Sequence, residues 1–188
     1  MEINAIINHR PASYLQHKMQ RFCDKLIENV WLNFIVRKHI HNRNIRQARA
    51  IMKLLNKDDF RNSAPRFFSY IRKIDPLIFE ELLLYCFAMR GFKIKRNPRY
   101  TGDGGFDGHV KLSGVWWPVQ AKRYHSHINP AHVEDFSKAI ARKGYSKGLF
   151  IHTGKTGGKS YKSMCSDESD ILLVSGYKLH TLITHCLG

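Results

Sequence analysis

Acidic residues are scarce in this chain. Its 188 residues hold 15 Asp and Glu against 31 Lys and Arg, a formal charge of +16. An imbalance of that size calls for an anionic partner, and DNA is the partner expected. Cysteines are few, and none of the four (Cys23, Cys86, Cys165 and Cys186) forms a CxxC pair. They read as reduced thiols of a cytoplasmic, nucleoid-associated protein rather than as a disulfide framework. No apolar run approaches about eighteen residues, so neither a transmembrane helix nor a membrane partner is expected. The opening stretch MEINAIINHRPAS lacks the basic-then-apolar layout of a signal peptide. Internal repeats, low-complexity tracts and a clean helix-turn-helix signature are absent too.

One apparent motif also lacks a residue. The stretch FIHTGKTGGKS, Phe150 to Ser160, looks like a nucleotide-gripping loop. The pattern G-x-x-x-x-G-K-[ST] needs its first glycine where Thr153 stands, so a true P-loop is not expected. What remains is a Gly-rich turn with Lys155 and Lys159, suited to a phosphate of a DNA backbone.

The rest of the chain is well punctuated. Residues 1–74 hold 15 Lys and Arg and 5 Asp and Glu, and their pattern is helical. Leu15, Met19, Phe22, Leu26, Val30 and Phe34 form one stripe of a helix over Tyr14 to Ile40. Ile45, Ala48, Ile51 and Leu55 form that of a second, and Pro65 opens a short third. At Asp75 the style changes. In DPLIFEELLLYCFAMRG, Asp75 suits an N-cap, Pro76 the first helical position and Gly91 the terminating left-handed position. Strands are expected near Phe92–Lys95, Phe106–Lys111, Val115–Arg123, Gly148–His152 and Ile171–Val174. A helix opens at Asn129-Pro130, and another near Tyr177. The expected fold is α/β, a mixed sheet flanked by helices. The expected domains are a basic helical one over 1–74, for DNA binding or association, and an α/β one over 75–188.

The chemistry concentrates in GDGGFDGHVKLSGVWWPVQAKRY. Gln120 and Lys122 are two apart on one strand and share a face. A two-residue turn at Leu112-Ser113 would put Asp107 opposite Pro118 and diagonal to Gln120. Magnesium takes hard oxygen ligands and keeps several waters. Asp107, the Gln120 side-chain oxygen and the Ala121 carbonyl could supply them, with Lys122 orienting a water or offsetting phosphate charge. Arg96, Arg99, Tyr100 and Arg123 suit phosphate contact. Trp116 and Trp117 could stack on bases, though one in the core and one at the surface is the commoner outcome. His125, His127 and His132 lack the companions of a zinc site and suit the flank of a DNA groove.

These segments together resemble the Mrr-like restriction endonucleases, a branch of the PD-(D/E)xK superfamily in which Gln commonly replaces the second acidic residue. The resemblance rests on Phe79-Glu80, Gly91-Phe92, GDGGFDG at 102–108, VQAKR at 119–123, GLFIHTG at 148–154 and ILLVSGYKL at 171–179. It spans residues 75–188. It implies a restriction-endonuclease-like fold and a Mg²⁺-dependent endonuclease (Mn²⁺ substituting), with a homodimer as a candidate assembly and Glu80, Asp107, Gln120 and Lys122 as the catalytic set. Glu80 joins the metal ligands, being fixed by the Phe-Glu pair in preference to Glu81. Two alternatives keep the same fold: a Holliday-junction or repair nuclease, and an inactive DNA-binding regulator.

Overall fold

In the computed structural model of the chain, the described residues are 39–97, 105–157, 165–166 and 169–186. Most of the helix expected over Tyr14–Ile40 lies outside them, as do Arg99, Tyr100 and Lys159. By contact the chain divides into Met1–Asn42 and Arg43–Gly188. Apart from residues 39–42, everything that follows lies in the second unit.

Helix α1 runs over residues 39–55. Its buried stripe is Asn44, Ala48, Met52 and Leu55, turned slightly from the expected one so that Ile45 and Ile51 sit at its margin. The expected break at KDDFRNSAP contains one helical turn, α2 (Asp58–Arg61). Helix α3 (Ala64–Ile71) follows; the Ser63 hydroxyl accepts from Arg66 N and Pro65 stands in the first turn. Helix α4 (Pro76–Met89) starts where its punctuation says, with Asp75 Oδ1 accepting from Leu77 N and Ile78 N. Capping of this kind satisfies N–H groups that no preceding turn can reach.

The sheet has six strands: β1 (Ile94–Arg96), β2 (Gly108–Leu112), β3 (Val115–Lys122), β4 (Lys147–His152), β5 (Cys165–Ser166) and β6 (Ser169–Val174). Their order is β1-β2-β3-β4-β6-β5. β1, β2 and β3 pair antiparallel, β3–β4 and β4–β6 parallel, and β5 closes one edge antiparallel to β6. Helix α5 (Pro130–Arg142) makes the crossover from β3 to β4, and α6 (Gly176–Thr184) ends the fold. A mixed sheet flanked by helices is therefore what forms.

The β2–β3 register differs from expectation by two residues. The turn is Ser113-Gly114, because Leu112 pairs with Val115. Both turn residues have positive φ, 48° and 84°, the geometry of a type I′ hairpin. Glycine serves that geometry at the second position, which a Leu112-Ser113 turn would have lacked. Pro118 consequently faces His109 rather than Asp107. A slip of two leaves every side chain on the face it would have had.

Strand alternation builds two cores. Val110, Val119, Ala121, Leu149 and Ile151 face α1–α4 and α6, packing with Met52, Leu55, Phe67, Ile71, Phe79 and Leu82. Phe150, Ile171 and Leu173 face α5, packing with Val133, Phe136 and Ile140. Each large apolar side chain so buried contributes about 1.5–3 kcal/mol. The first core joins the helices before Asp75 to the sheet. The contact division thus falls at Asn42/Arg43 and not at the change of sequence style.

Candidate active site

Helix α4, the segment before β2 and strand β3 carry the expected residues Glu80, Asp107, Gln120 and Lys122. Helix α4 carries Glu80 and Glu81 at successive positions, about 100° apart around its axis. Glu81 is buried, at 3% exposure, and accepts from Arg96 Nε at 2.7 Å. Arg96 thus joins β1 to α4 through an ion pair at Nε. Glu80 is half-buried, in the field of the Asp107 carboxylate and the Lys122 ammonium.

Asp107 stands just before β2. Its N–H donates to Val119 O at 2.8 Å, and its Oδ2 accepts from Ala121 N at 2.6 Å. This fixes the carboxylate against β3 between Gln120 and Lys122. Gln120 is turned toward Gly105, donating from Nε2 to the Gly105 carbonyl at 2.6 Å. Since a carbonyl only accepts, that bond assigns the amide orientation. Gln120 Oε1 is then buried with no hydrogen-bond partner among the described residues. Beside it, a cleft of about 330 Å³ is lined by Gly105, Gln120, Asp135, Phe136 and Arg142.

The Asp107 carboxylate disturbs Glu80. Burial raises the Glu80 pKa to about 8, with Asp107 and Glu81 adding to the rise and Lys122 opposing it. Burial also raises Asp107, to about 6, against the opposing Ala121 N–H and Lys122. Among the described residues no three His, Cys, Asp or Glu side chains converge as a metal cage. The two crowded carboxyls, Glu80 and Asp107, nonetheless suit a hard cation that keeps its waters.

Thr153, the residue that breaks the P-loop pattern, is 1% exposed. Its N–H donates to Lys122 O at 3.2 Å. Its hydroxyl bonds both Tyr124 N and Tyr124 O at 2.9 Å. Its carbonyl accepts from Arg72 Nη2 at 2.7 Å and Nε at 3.2 Å. One threonine thus ties the end of β3 to β4 and to α3, which nothing in the sequence signalled. Gly154 follows because a Cβ there would lie 2.6 Å from Ser126 O. Lys155 is exposed, its backbone bonded to Ser126 and Ile128.

The remaining expectations sort themselves. Arg123 Nη1 donates to Arg72 O at 3.0 Å, so Arg123 braces α3. Trp117 packs against the larger core, and Trp116 lies beneath Lys111; both are half-buried. His132 is hydrogen-bonded to Tyr124 and stacked on it, while His125 and His127 are exposed. Cys86 and Cys186 are buried free thiols.

Residues 71–183 match the family Mrr_cat, described as restriction endonuclease. Among solved structures the chain is similar to the MspJI restriction endonuclease in complex with a 27-mer oligonucleotide, at 20% identity and a TM-score of 0.40. That likeness covers 74% of this chain and 30% of the other, so the chain spans under a third of that enzyme's length. No curated protein is similar enough to count as a match. Because the family match takes in more than half of the residues, the chain belongs to the Mrr_cat restriction endonucleases.

Proposed function

We propose that the chain is a metal-dependent DNA endonuclease that hydrolyses backbone phosphodiesters, with Mg²⁺ as the cation and Mn²⁺ as its substitute. The observation that carries this reading is the enforced closeness of Glu80 and Asp107, with pKa values of about 8 and about 6. Acids shifted this strongly by burial and by a specific charged neighbour are candidates for a functional site. Two carboxyls held together with little solvent favour the exchange of protons for a divalent cation. Glu80, Asp107, Gln120 Oε1 and the Ala121 carbonyl would hold it. Bound there, the cation would polarise the phosphate and make a water more acidic.

Lys122 supplies a fixed positive charge next to Asp107, able to offset charge that builds on a phosphate oxygen. The Asp107–Ala121 hydrogen bond holds the carboxylate still, so little reorganisation accompanies the reaction. The +16 charge favours DNA as substrate through phosphate contacts, with affinity falling steeply as salt rises.

Supercoiled plasmid, methylated and unmethylated, tests the reading in Mg²⁺ and in EDTA. Wild-type protein should cut only with metal. Lys122→Ala and Asp107→Ala should each cut at least about 100-fold more slowly while still binding DNA. Wild-type rates in either variant would reject this active site. Tight binding with no cutting of any plasmid in Mg²⁺ or Mn²⁺ would leave a DNA-binding regulator on the same fold.

A further inference from the structure

We infer that a groove between α3 and the chain leaving β3 receives one unstacked nucleotide of a DNA strand. The groove encloses about 590 Å³ and is lined by Pro65, Phe68, Ser69, Arg72, Lys73 and His125, among others. That volume falls within the ~300–1,000 Å³ usual for clefts that take small ligands. Ser69, Lys73 and His125 are exposed, and Phe68 is half-buried. Among the described residues no carboxylate lines the groove.

Its chemistry is divided in the way a nucleotide is. Phe68 and Pro65 offer flat apolar surface. Lys73 and His125 offer donors for an anion. Arg72 joins the two parts: its guanidinium lies over the Phe68 ring, 5.3 Å from the centroid, and is pinned by two hydrogen bonds to Thr153 O. A guanidinium fixed over an aromatic ring makes a rigid cationic shelf, and base stacking on such shelves is tolerant of sequence. Arg123 fixes it further through the Arg72 carbonyl.

The groove also lies beside the proposed catalytic residues. Thr153 carries the Arg72 shelf on its carbonyl and bonds Lys122 O through its N–H. His125 stands three residues beyond Lys122, and Lys73 two before Asp75, the cap of the helix bearing Glu80. A strand whose phosphate reaches Lys122 would therefore pass the groove. The choice of DNA as occupant rests on the endonuclease reading; the groove's preference for a flat anionic unit does not.

The test uses the full chain in EDTA and a short DNA duplex carrying one 2-aminopurine, a base that brightens when unstacked. Wild-type binding should raise its fluorescence. Ser69→Trp, which fills the groove from an exposed position, and Lys73→Glu should each weaken binding about tenfold and suppress the rise. Lys178→Glu on α6 removes the same charge elsewhere and should do much less. Unchanged affinity and fluorescence in both groove variants, with their melting temperatures intact, would overturn the inference. So would loss of binding no greater than that of Lys178→Glu, or an acidic peptide displacing DNA from wild type but not from Ser69→Trp. Plasmid cutting separates the two readings. Groove variants that bind and cut normally remove the groove and leave the endonuclease. A wild type that never cuts, with groove variants that lose binding, removes the endonuclease and leaves the groove.

Discussion

At the scale of single residues, neighbouring glutamates divide the work. Glu81 turns into the core and is neutralised by Arg96, while Glu80 faces Asp107. The distinction has a consequence for stability. Glu80 titrates at about 8 in the folded protein against an ordinary 4.5, because burial, Asp107 and Glu81 disfavour its charge. The folded state thus holds a proton that the unfolded chain has released. Stability in EDTA should be highest below about pH 4.5 as far as this group is concerned, and should fall as pH rises toward 8. Glu80→Gln should remove that fall and be more stable than wild type at pH 8, by on the order of 2 kcal/mol after solvent screening. Thermal melts in EDTA from pH 5 to 9 check this, and parallel curves for the two proteins would refute it. The preference for Glu80 over Glu81 came from the Phe-Glu pair, and Glu80 is the one that lies in the field of Asp107. The fate of Arg96 was not legible, because an ion pair across fourteen intervening residues has no local signature.

At the scale of elements, helix starts were the most legible feature. Asp75, Ser63 and Asn129 each cap the helix that follows, because capping uses only groups within three residues of one another. The β2–β3 turn was misplaced by one residue at each side, since turn chemistry depends on φ as well as residue type. The two-residue strand β5 went unseen, as short edge strands carry no periodicity. Thr153 is the larger omission. Its hydroxyl serves Tyr124 N and Tyr124 O together, and a valine of the same shape would leave both without that partner. Thr153→Val should cost about 1–3 kcal/mol and slow plasmid cutting by disturbing Lys122, whereas Thr153→Ser should retain most of both. Urea unfolding alongside a cleavage assay measures the pair; equal stability of the valine and wild-type proteins would remove Thr153 from this role.

At the scale of the whole molecule, the core does not respect the change of style at Asp75. Met52, Leu55, Phe67 and Ile71 are all fully buried, and they share one apolar cluster with Phe79, Leu82 and the sheet. A chain starting at Asp75 would uncover that face. At about 1.5–3 kcal/mol for each large side chain, the loss rivals the ~5–15 kcal/mol that holds a domain together. A fragment of residues 43–188 should unfold cooperatively in urea, whereas 75–188 should be insoluble or lack a transition. A soluble, cooperative 75–188 fragment would restore the division at Asp75. No described helix is long and apolar enough to cross a membrane.

The sequence alone determined the α/β architecture, the helix starts and the segment bearing Asp107, Gln120 and Lys122. Each of those signals is local, or repeats at a fixed period along the chain. Tertiary structure decided the β2–β3 register, the pairing of Glu81 with Arg96, the bracing by Thr153 and the sharing of one core between the early helices and the sheet. Those depend on which distant surfaces meet, and the free energy of that meeting is spread over residues with no common spacing.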